Sequence, residues 1–330
     1  MCRMMTNSPR TQQGIALITV LMILAIMVTI AATMTHRLTL SLKRTEGLIF
    51  SQSVYWYGQA ASDFGRMVLD DDFSDSTVVS LDQNWAIPDM VFPLENGTIG
   101  GQFKDMRSCF NLNSLAVDDK DSVRATPVRQ FQALLEEIGL NEYNAEVISD
   151  STRDWIDTDD SSSGGEGAED SIYQARAVAH LAANNKMVDV SELRAVQGMG
   201  QQTYDLIAPY LCAIPSDDQK INVNTVDIEQ AALLYVLFEN DLNVTVDDFT
   251  TLLEDRATSG WDSVDDFLSS SIFDGETISD EIKDQLSVSS EYFQLNGVAE
   301  FEDRIIAVQI LLEIEENNAK VIRYQSGGFK

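Results

Sequence analysis

From Ile15 to Thr35 the chain carries no Asp, Glu, Lys, Arg or His. The run is built from Ile, Leu, Val, Met, Ala and Thr, and as an α-helix it spans about 30 Å, the hydrocarbon thickness of a bilayer. One membrane-crossing helix near the N-terminus, followed by a long polar body, is the predicted plan. The flanking charges leave its orientation open, because Arg3 and Arg10 precede the run while Arg37, Lys43 and Arg44 follow it, with only Glu46 opposing them. An export signal cut near Ala31-Ala32 is the alternative, although its apolar region would exceed the usual 7–15 residues.

The body is acidic: Asp and Glu total 53 against 22 Lys and Arg, for a formal charge of -31. Such a surface repels nucleic acid and anionic headgroups and attracts cations. About 295 residues outside the apolar run give room for one large or two modest domains. Beyond Cys2, the only cysteines are Cys109 and Cys212. Behind an export or membrane signal, that even number predicts a Cys109–Cys212 disulfide, with two buried thiols as the alternative. No enzyme signature is present. The two histidines, His36 and His180, fall outside any zinc-protease, nucleophile-elbow or P-loop pattern.

Apolar spacing continues past the membrane run through Leu42, Ile49, Trp56, Phe64 and Leu69, which predicts one helix to about Leu69, ended by Asp70-Asp71-Asp72. Thr77-Val78-Val79, Val91 to Leu94 and Thr98 to Asp105 read as strands, with a hairpin signal at Asn96-Gly97. A helical block follows from Arg107 to about Leu286. Its segments include Pro127 to Ile138, Ala145 to Trp155 and Ile172 to Asn184, the last containing His180. Tyr292 to Ala299, Arg304 to Glu315 and Lys320 to Gln325 read as strands again. Strands on both sides of a helical block suggest one sheet carrying an insertion. Asn111-Leu112-Asn113-Ser114 and Asn222-Val223-Asn224-Thr225 form an internal echo, each ahead of an apolar helix.

Two stretches raise questions of chemistry. Asp150 to Asp170 holds eight carboxylates and one arginine, Arg153. A divalent cation of the calcium type takes six to eight oxygens, which such a loop can supply, but a solvated acidic loop explains the composition equally well. The spacing is not that of an EF-hand, and the lack of nearby His or Cys argues against zinc. Leu193 to Leu211 contains the Val-x-Gly-x-Gly of a helix-hairpin-helix at Val196, Gly198 and Gly200. No Lys or Arg occurs between Gln197 and Tyr210, so phosphate binding lacks its main driving force. The motif reads as a scaffold rather than a DNA site, and a membrane-tethered DNA receptor is the weakest of the alternatives.

Gly14 directly before an uncharged helix, with basic residues upstream, resembles the processing site of type IV pilin-like proteins. Further along, Gln52 to Gly58 (QSVYWYG), Trp85 to Pro88, Phe92 to Leu94, Asp105 to Leu115 (DMRSCFNLNSL), Trp155 to Asp159, Gly167 to Asp170 with Tyr173, and Ile221 to Thr225 (INVNT) resemble, in one order, the minor pseudopilin K family of the type II secretion system. The resemblance implies an α+β, pilin-like fold: a long N-terminal helix packed on an antiparallel sheet, with a large all-α insertion between strands. The implied divisions are a leader at 1–14, a transmembrane helix at 15–35, the helix and first strands at 36–106, a helical insertion with helix-hairpin-helix elements at 107–288, and C-terminal strands at 289–330.

The same resemblance implies cleavage between Gly14 and Ile15 by prepilin peptidase, with methylation of the new terminus. It implies a single-pass position in the bacterial inner membrane with a periplasmic body, and a place at the pseudopilus tip in export of folded proteins. The implied partners are the minor pseudopilins of types I, J and H, the major pseudopilin and the inner-membrane assembly platform. It also implies calcium held by Asp157, Asp159, Glu169 and Asp170. Without that resemblance, an exported calcium-binding protein released by signal cleavage is the competing reading. One departure from pilin-like proteins is physical: they resemble one another in a Glu at the fifth mature position, which here is Thr19. In a filament core that carboxylate neutralises a neighbour's terminal ammonium, and leaving a buried charge unpaired costs several kcal/mol. Thr19 therefore points to an end position with no subunit above.

Overall fold

The structure, a computed structural model, describes residues 13–74, 76–88, 90–94, 97–117, 124–238, 244–301 and 304–327. The chain forms two compact bodies, Met1–Gln59 and Ala60–Lys330. One helix, α1 (Gln13–Asp72), makes up the described part of the first. Every side chain from Ile15 to Glu46 is exposed. Its threonines suit an apolar medium, because Thr19, Thr29 and Thr33 donate their hydroxyls to carbonyls three residues back, and Thr35 and Thr39 to carbonyls four back. Each polar hydrogen is thereby satisfied inside the helix, as a bilayer demands.

The second body opens with the last turns of α1. Three aspartates at a helix C-terminus oppose the helix dipole. Here they serve as acceptors: Asp70 takes the Ala319 N–H at 2.6 Å, and Asp72 takes the backbone N–H groups of Trp85 at 2.8 Å and Asn84 at 3.1 Å. Then come β1 (Met90–Leu94), β2 (Gly97–Asp105) and β3 (Phe110–Asn111). The helical block comprises α2 (Thr126–Glu137), α3 (Glu142–Ile156), α4 (Asp170–Gln174), α5 (Gln201–Ile207), β4 (Leu211–Cys212), β5 (Ile221–Asn222), α6 (Ala232–Phe238), α7 (Val246–Glu254), α8 (Val264–Leu268), α9 (Asp280–Gln285) and β6 (Leu286–Ser287). The chain returns through β7 (Tyr292–Phe301), β8 (Arg304–Glu315) and β9 (Asn318–Ser326).

The main sheet is antiparallel throughout, in the order β1-β2-β7-β8-β9. Alternation along its strands puts Phe103, Phe293, Leu295 and Ile310 on one face, where Leu69 of α1 and Phe73, just past its end, are buried with them. Phe293 meets Phe73 and Trp85 edge-on at 5.6 and 5.2 Å. Gly65 permits the close approach, since a Cβ there would lie 3.0 Å from Leu295 Cδ2. The expected α+β plan, a long helix on an antiparallel sheet interrupted by a helical insertion, is the one observed.

Three local readings change. Thr77-Val78-Val79 is not a strand: Val79 is fully buried, but its N–H goes to Val288 O at 2.8 Å, a link to the helical block rather than a sheet ladder. The predicted helix from Ile172 to Asn184 stops at Gln174, so His180 is not helical. Arg176 there spends its guanidinium on Ala195 O and Gln197 Oε1, and Asn184 takes a left-handed φ of 45°. Gly97 pairs with Leu94 and so belongs to the β2 ladder; Asn96, the other residue of the hairpin signal, lies outside the described residues. The turn between β8 and β9 has positive φ at both Glu316 and Asn317, the geometry that matches strand twist in two-residue hairpins.

The insertion is built twice. Parallel two-residue ladders close each half, β3 with β4 and β5 with β6. In the first half Asn111 Oδ1 accepts the Asn113 N–H at 3.2 Å. Asn113 then clamps the Met187 backbone, accepting its N–H at 2.7 Å and donating to its carbonyl at 2.9 Å. In the second, Asn222 Oδ1 accepts the Asn224 N–H at 3.1 Å, and Asn224 clamps Trp261 in the same way at 2.8 and 3.0 Å. The echo in sequence is therefore one device used twice: a buried amide whose donors and acceptor hold a returning chain in fixed register. The crossover it holds is long in the first half, from Ile156 to Met187, and short in the second, from Glu254 to Trp261. The acidic loop occupies that extra length.

A buried carboxylate joins insertion to sheet. Asp105, at the end of β2, accepts from the Arg107 N–H at 2.8 Å, Asn222 Nδ2 at 2.9 Å, Thr225 Oγ1 at 2.6 Å and the Ser290 hydroxyl. Burial pushes its pKa up, while the four hydrogen bonds oppose that shift.

Candidate metal centre

Helix α3 delivers the acidic loop. Asn141 caps it by accepting the Asn144 N–H at 2.9 Å, and Val147, Ile148 and Trp155 fix its inner face in the core. Asp157 is the C-cap, its N–H bonded to Arg153 O at 2.9 Å. The chain loops out, and Glu169 returns as the residue before α4. Together these elements bring Asp157, Asp159 and Glu169 close enough that one carboxylate oxygen from each lies within 4.8 Å of the others. Asp170 is not in that group, for its Oδ1 accepts the Ala182 N–H at 3.0 Å.

Electrostatically the trio is unbalanced. Glu169 is buried, Asp157 half-buried and Asp159 exposed. Both oxygens of Glu169 and Oδ1 of Asp157 are shut away from solvent without a hydrogen-bond partner. Burial first, then repulsion from Asp154 and Asp159, raises Asp157 to about 6. Burial first, then the negative charges of Asp154, Asp157, Asp159 and Asp160, raises Glu169 to about 7. A buried carboxylate pair without a cation is costly, and a divalent ion among these oxygens removes the repulsion and fills the orphaned lone pairs. The donor set is all oxygen, which suits a hard cation and not zinc. A cleft of about 400 Å³ opens beside Asp157 and Asp159, with Ser163 and Lys186 in its wall.

Sequence reasoning passed over Asp154. It sits three residues before Asp157 on the same helical face and is fully buried. Its Oδ1 accepts the Ser163 N–H at 2.9 Å and its Oδ2 has no partner. Gly167 is required beside it, because a Cβ there would collide with Asp154 Oδ2 and Ser163 O. The i, i+3 spacing was the available signal. His180 packs against Tyr173 and Trp155, ring centroids 5.1 and 6.0 Å away, so its surroundings are aromatic.

The other singled-out residues fall elsewhere. Gly14 and Ile15 lie in the first turn of α1, and Thr19, one turn on, is exposed with its hydroxyl on Ala16 O at 2.9 Å. Cys109 and Cys212 form the disulfide, Cα atoms 5.8 Å apart, beside the β3–β4 ladder. Gly198 has φ 82°, and a Cβ on it would press on Val147 and Ile148. The helix-hairpin-helix glycine is thus spent on packing against α3.

Comparison with known proteins follows the same architecture. A family model described as "Type II secretion system (T2SS), protein K" matches residues 108–216, and a second of the same description matches 221–289. These limits coincide with the two halves of the insertion. A type II secretion system protein K from Aeromonas hydrophila is 38% identical over 97% of this chain and 99% of its own length. That from Pectobacterium carotovorum subsp. carotovorum is 34% identical over 97% and 98%. The fold matches a chain in the crystal structure of the GspK-GspI-GspJ complex from the enterotoxigenic Escherichia coli type 2 secretion system, with TM-score 0.80 and 33% identity over 87% of this chain and 100% of that one. A twice-built helical insertion set in an antiparallel sheet that packs on the C-terminal turns of a long helix, in a chain aligned with these relatives over nearly all its length, places it in the type II secretion system protein K family of minor pseudopilins.

Proposed function

We propose that this chain is the tip subunit of a pseudopilus, held in the inner membrane by α1 until prepilin peptidase cuts between Gly14 and Ile15. The body lies in the periplasm, where it starts assembly with minor pseudopilins of types I, J and H, ahead of the major pseudopilin and above the assembly platform, and assists export of folded proteins. The role is structural rather than catalytic. The observation that carries this reading is the match to a chain solved in a complex with two other minor pseudopilins. Thr19 supports the end position, since it offers no carboxylate to a subunit above.

Within that role Asp157, Asp159 and Glu169 hold calcium, with oxygen ligation that ties the long crossover of the first half to the end of α3. Asp154 borders the site. The metal supplies charge neutralisation to a loop that lacks a hydrophobic core of its own. Co-purification tests the role: the full chain is expected to come down with I- and J-type subunits from detergent-solubilised membranes, and its mature N-terminus is expected at Ile15. A start near Thr33, with no subunit retained, would favour a released, soluble calcium-binding protein instead. Titration calorimetry tests the metal. Saturable calcium binding that disappears when Asp157 and Asp159 become Ala is expected, and a heatless titration of the unaltered chain excludes the site.

A further inference from the structure

The sheet face turned away from α1 carries a feature that assembly and calcium leave unused. Lys104 of β2 pairs with Gln294 of β7, Gln294 with Leu311 of β8, and Leu311 with Arg323 of β9. The two cations therefore end a single cross-strand row, three strand spacings or about 14 Å apart at the backbone. Between this face and the first helical half lies a cleft of about 700 Å³, in the size range of ligand sites. Lys104, Gln294, Gln309, Arg323 and Gln325 form its sheet side, while the opposite wall is mixed, with Val190, Ala208, Leu211 and Ala213 beside Ser191 and one carboxylate, Asp189. Arg194, stacked on Tyr204 at 4.3 Å, stands at the same wall.

The cations are not consumed by the fold. Lys104 makes no hydrogen bond or ion pair among the described residues; Asp227 and Asp105 act on it only through space, and burial holds its pKa below the usual lysine value. Arg323 has a side chain 13% exposed, meets Asp189 only at 3.9 Å and Gln294 at 3.5 Å, and leaves its Nε buried without a partner. Gln309 Oε1 is likewise buried and unpaired. In a chain of net charge -31, two under-neutralised cations on the floor of one cleft are the exception to the general field. A lone small anion would reach one end of the row. A ligand that satisfies both ends needs two carboxylates about 13 Å apart, which is the separation of residues i and i+4 in an extended peptide, both on one side of it. The apolar residues of the mixed wall, Val190, Ala208, Leu211 and Ala213, suit the residues between them.

We infer that this cleft is a binding site for an extended acidic peptide segment, with Lys104 and Arg323 each taking one carboxylate. The site is independent of the metal centre and of the tip assignment.

Calorimetry on the full chain in detergent, at physiological ionic strength, tests it with three probes. One is a capped five-residue peptide with glutamate at both ends and alanine, leucine and alanine between; the second has glutamine at both ends; the third is inorganic sulfate. The glutamate peptide is expected to bind saturably, and at least about tenfold more tightly than either other probe, as loss of a charge-assisted contact at each end requires. Lys104→Met and Arg323→Gln are each expected to weaken it by about tenfold while thermal unfolding and calcium response stay as in the parent. Should either variant fail to fold, Gln325→Glu, which adds a carboxylate to the cleft from the sheet edge, is expected to weaken the same peptide comparably. Absence of binding, equal binding of the glutamine peptide, or sulfate binding as tightly and competing would each overturn the proposal.

Discussion

At the scale of single residues, polar groups decide this structure where apolar ones leave a choice. Asn113 and Asn224 each hold a distant backbone by two hydrogen bonds or more inside the core, and both are essentially buried. Replacing either with Ala strands those partners, and unsatisfied buried groups cost about 1–3 kcal/mol each. A loss of about 2–4 kcal/mol is expected for either variant in chemical denaturation, with Asn113→Ala also lowering calcium affinity, since Met187 ends the crossover that carries the acidic loop. The acidic trio gives a pH signature. Asp157 and Glu169 are raised to about 6 and about 7 in the folded chain, from reference values of 3.8 and 4.5. With a chelator present, the folded state holds protons that the unfolded chain has already released. Their contribution to stability is then present below about pH 4 and lost as the pH rises through 6–7. The chelated chain is expected to melt lower at pH 7.5 than at pH 5.5. The double variant Asp157→Asn, Glu169→Gln is expected to flatten that slope, and calcium to remove it in the parent.

Among elements, the repeated unit is the informative level. Gly260 sits in the short crossover of the second half with φ 67°, and a Cβ there would run into the Asn224 side chain. Gly260→Ala therefore combines backbone strain with damage to the clamp. A cost above about 1 kcal/mol is expected, readable as a shifted denaturation midpoint with unchanged slope. The disulfide between Cys109 and Cys212 closes the first half, residues 103 apart, next to its ladder. Cys109→Ser with Cys212→Ser is expected to cost about 2–5 kcal/mol by relaxing the unfolded chain, while the second half keeps its own ladder. Much of this level was legible. The long helix, α2 and β8 stand where periodicity placed them, because each is a run whose pattern is set by one face. The segment after Tyr173 was not, because Arg176 and Asp170 find partners in the fold that no local window contains.

For the whole molecule, the bilayer-length helix and the acidic body set the terms. The proposed processing gives a mature chain beginning with Ile15 and carrying Thr19 as its fifth residue. If Thr19 and the insertion together confine the chain to an end, Thr19→Glu with the insertion trimmed is expected to appear along labelled filaments. Continued confinement to tips would mean that other contacts set the position.

What the sequence determined by itself was whatever depends on composition over a continuous stretch: a membrane-length helix, an acidic body, and strands flanking a helical block. Apolar run length and charge count need no partner to be read. Tertiary structure decided which distant groups meet. It brought Asp157, Asp159 and Glu169 together and sent Asp170 to a backbone amide; it buried Asp154; it turned a faint Asn-x-Asn echo into two matching clamps. It also set Lys104 and Arg323 at opposite ends of one row, more than two hundred residues apart in sequence, where only strand register can align them.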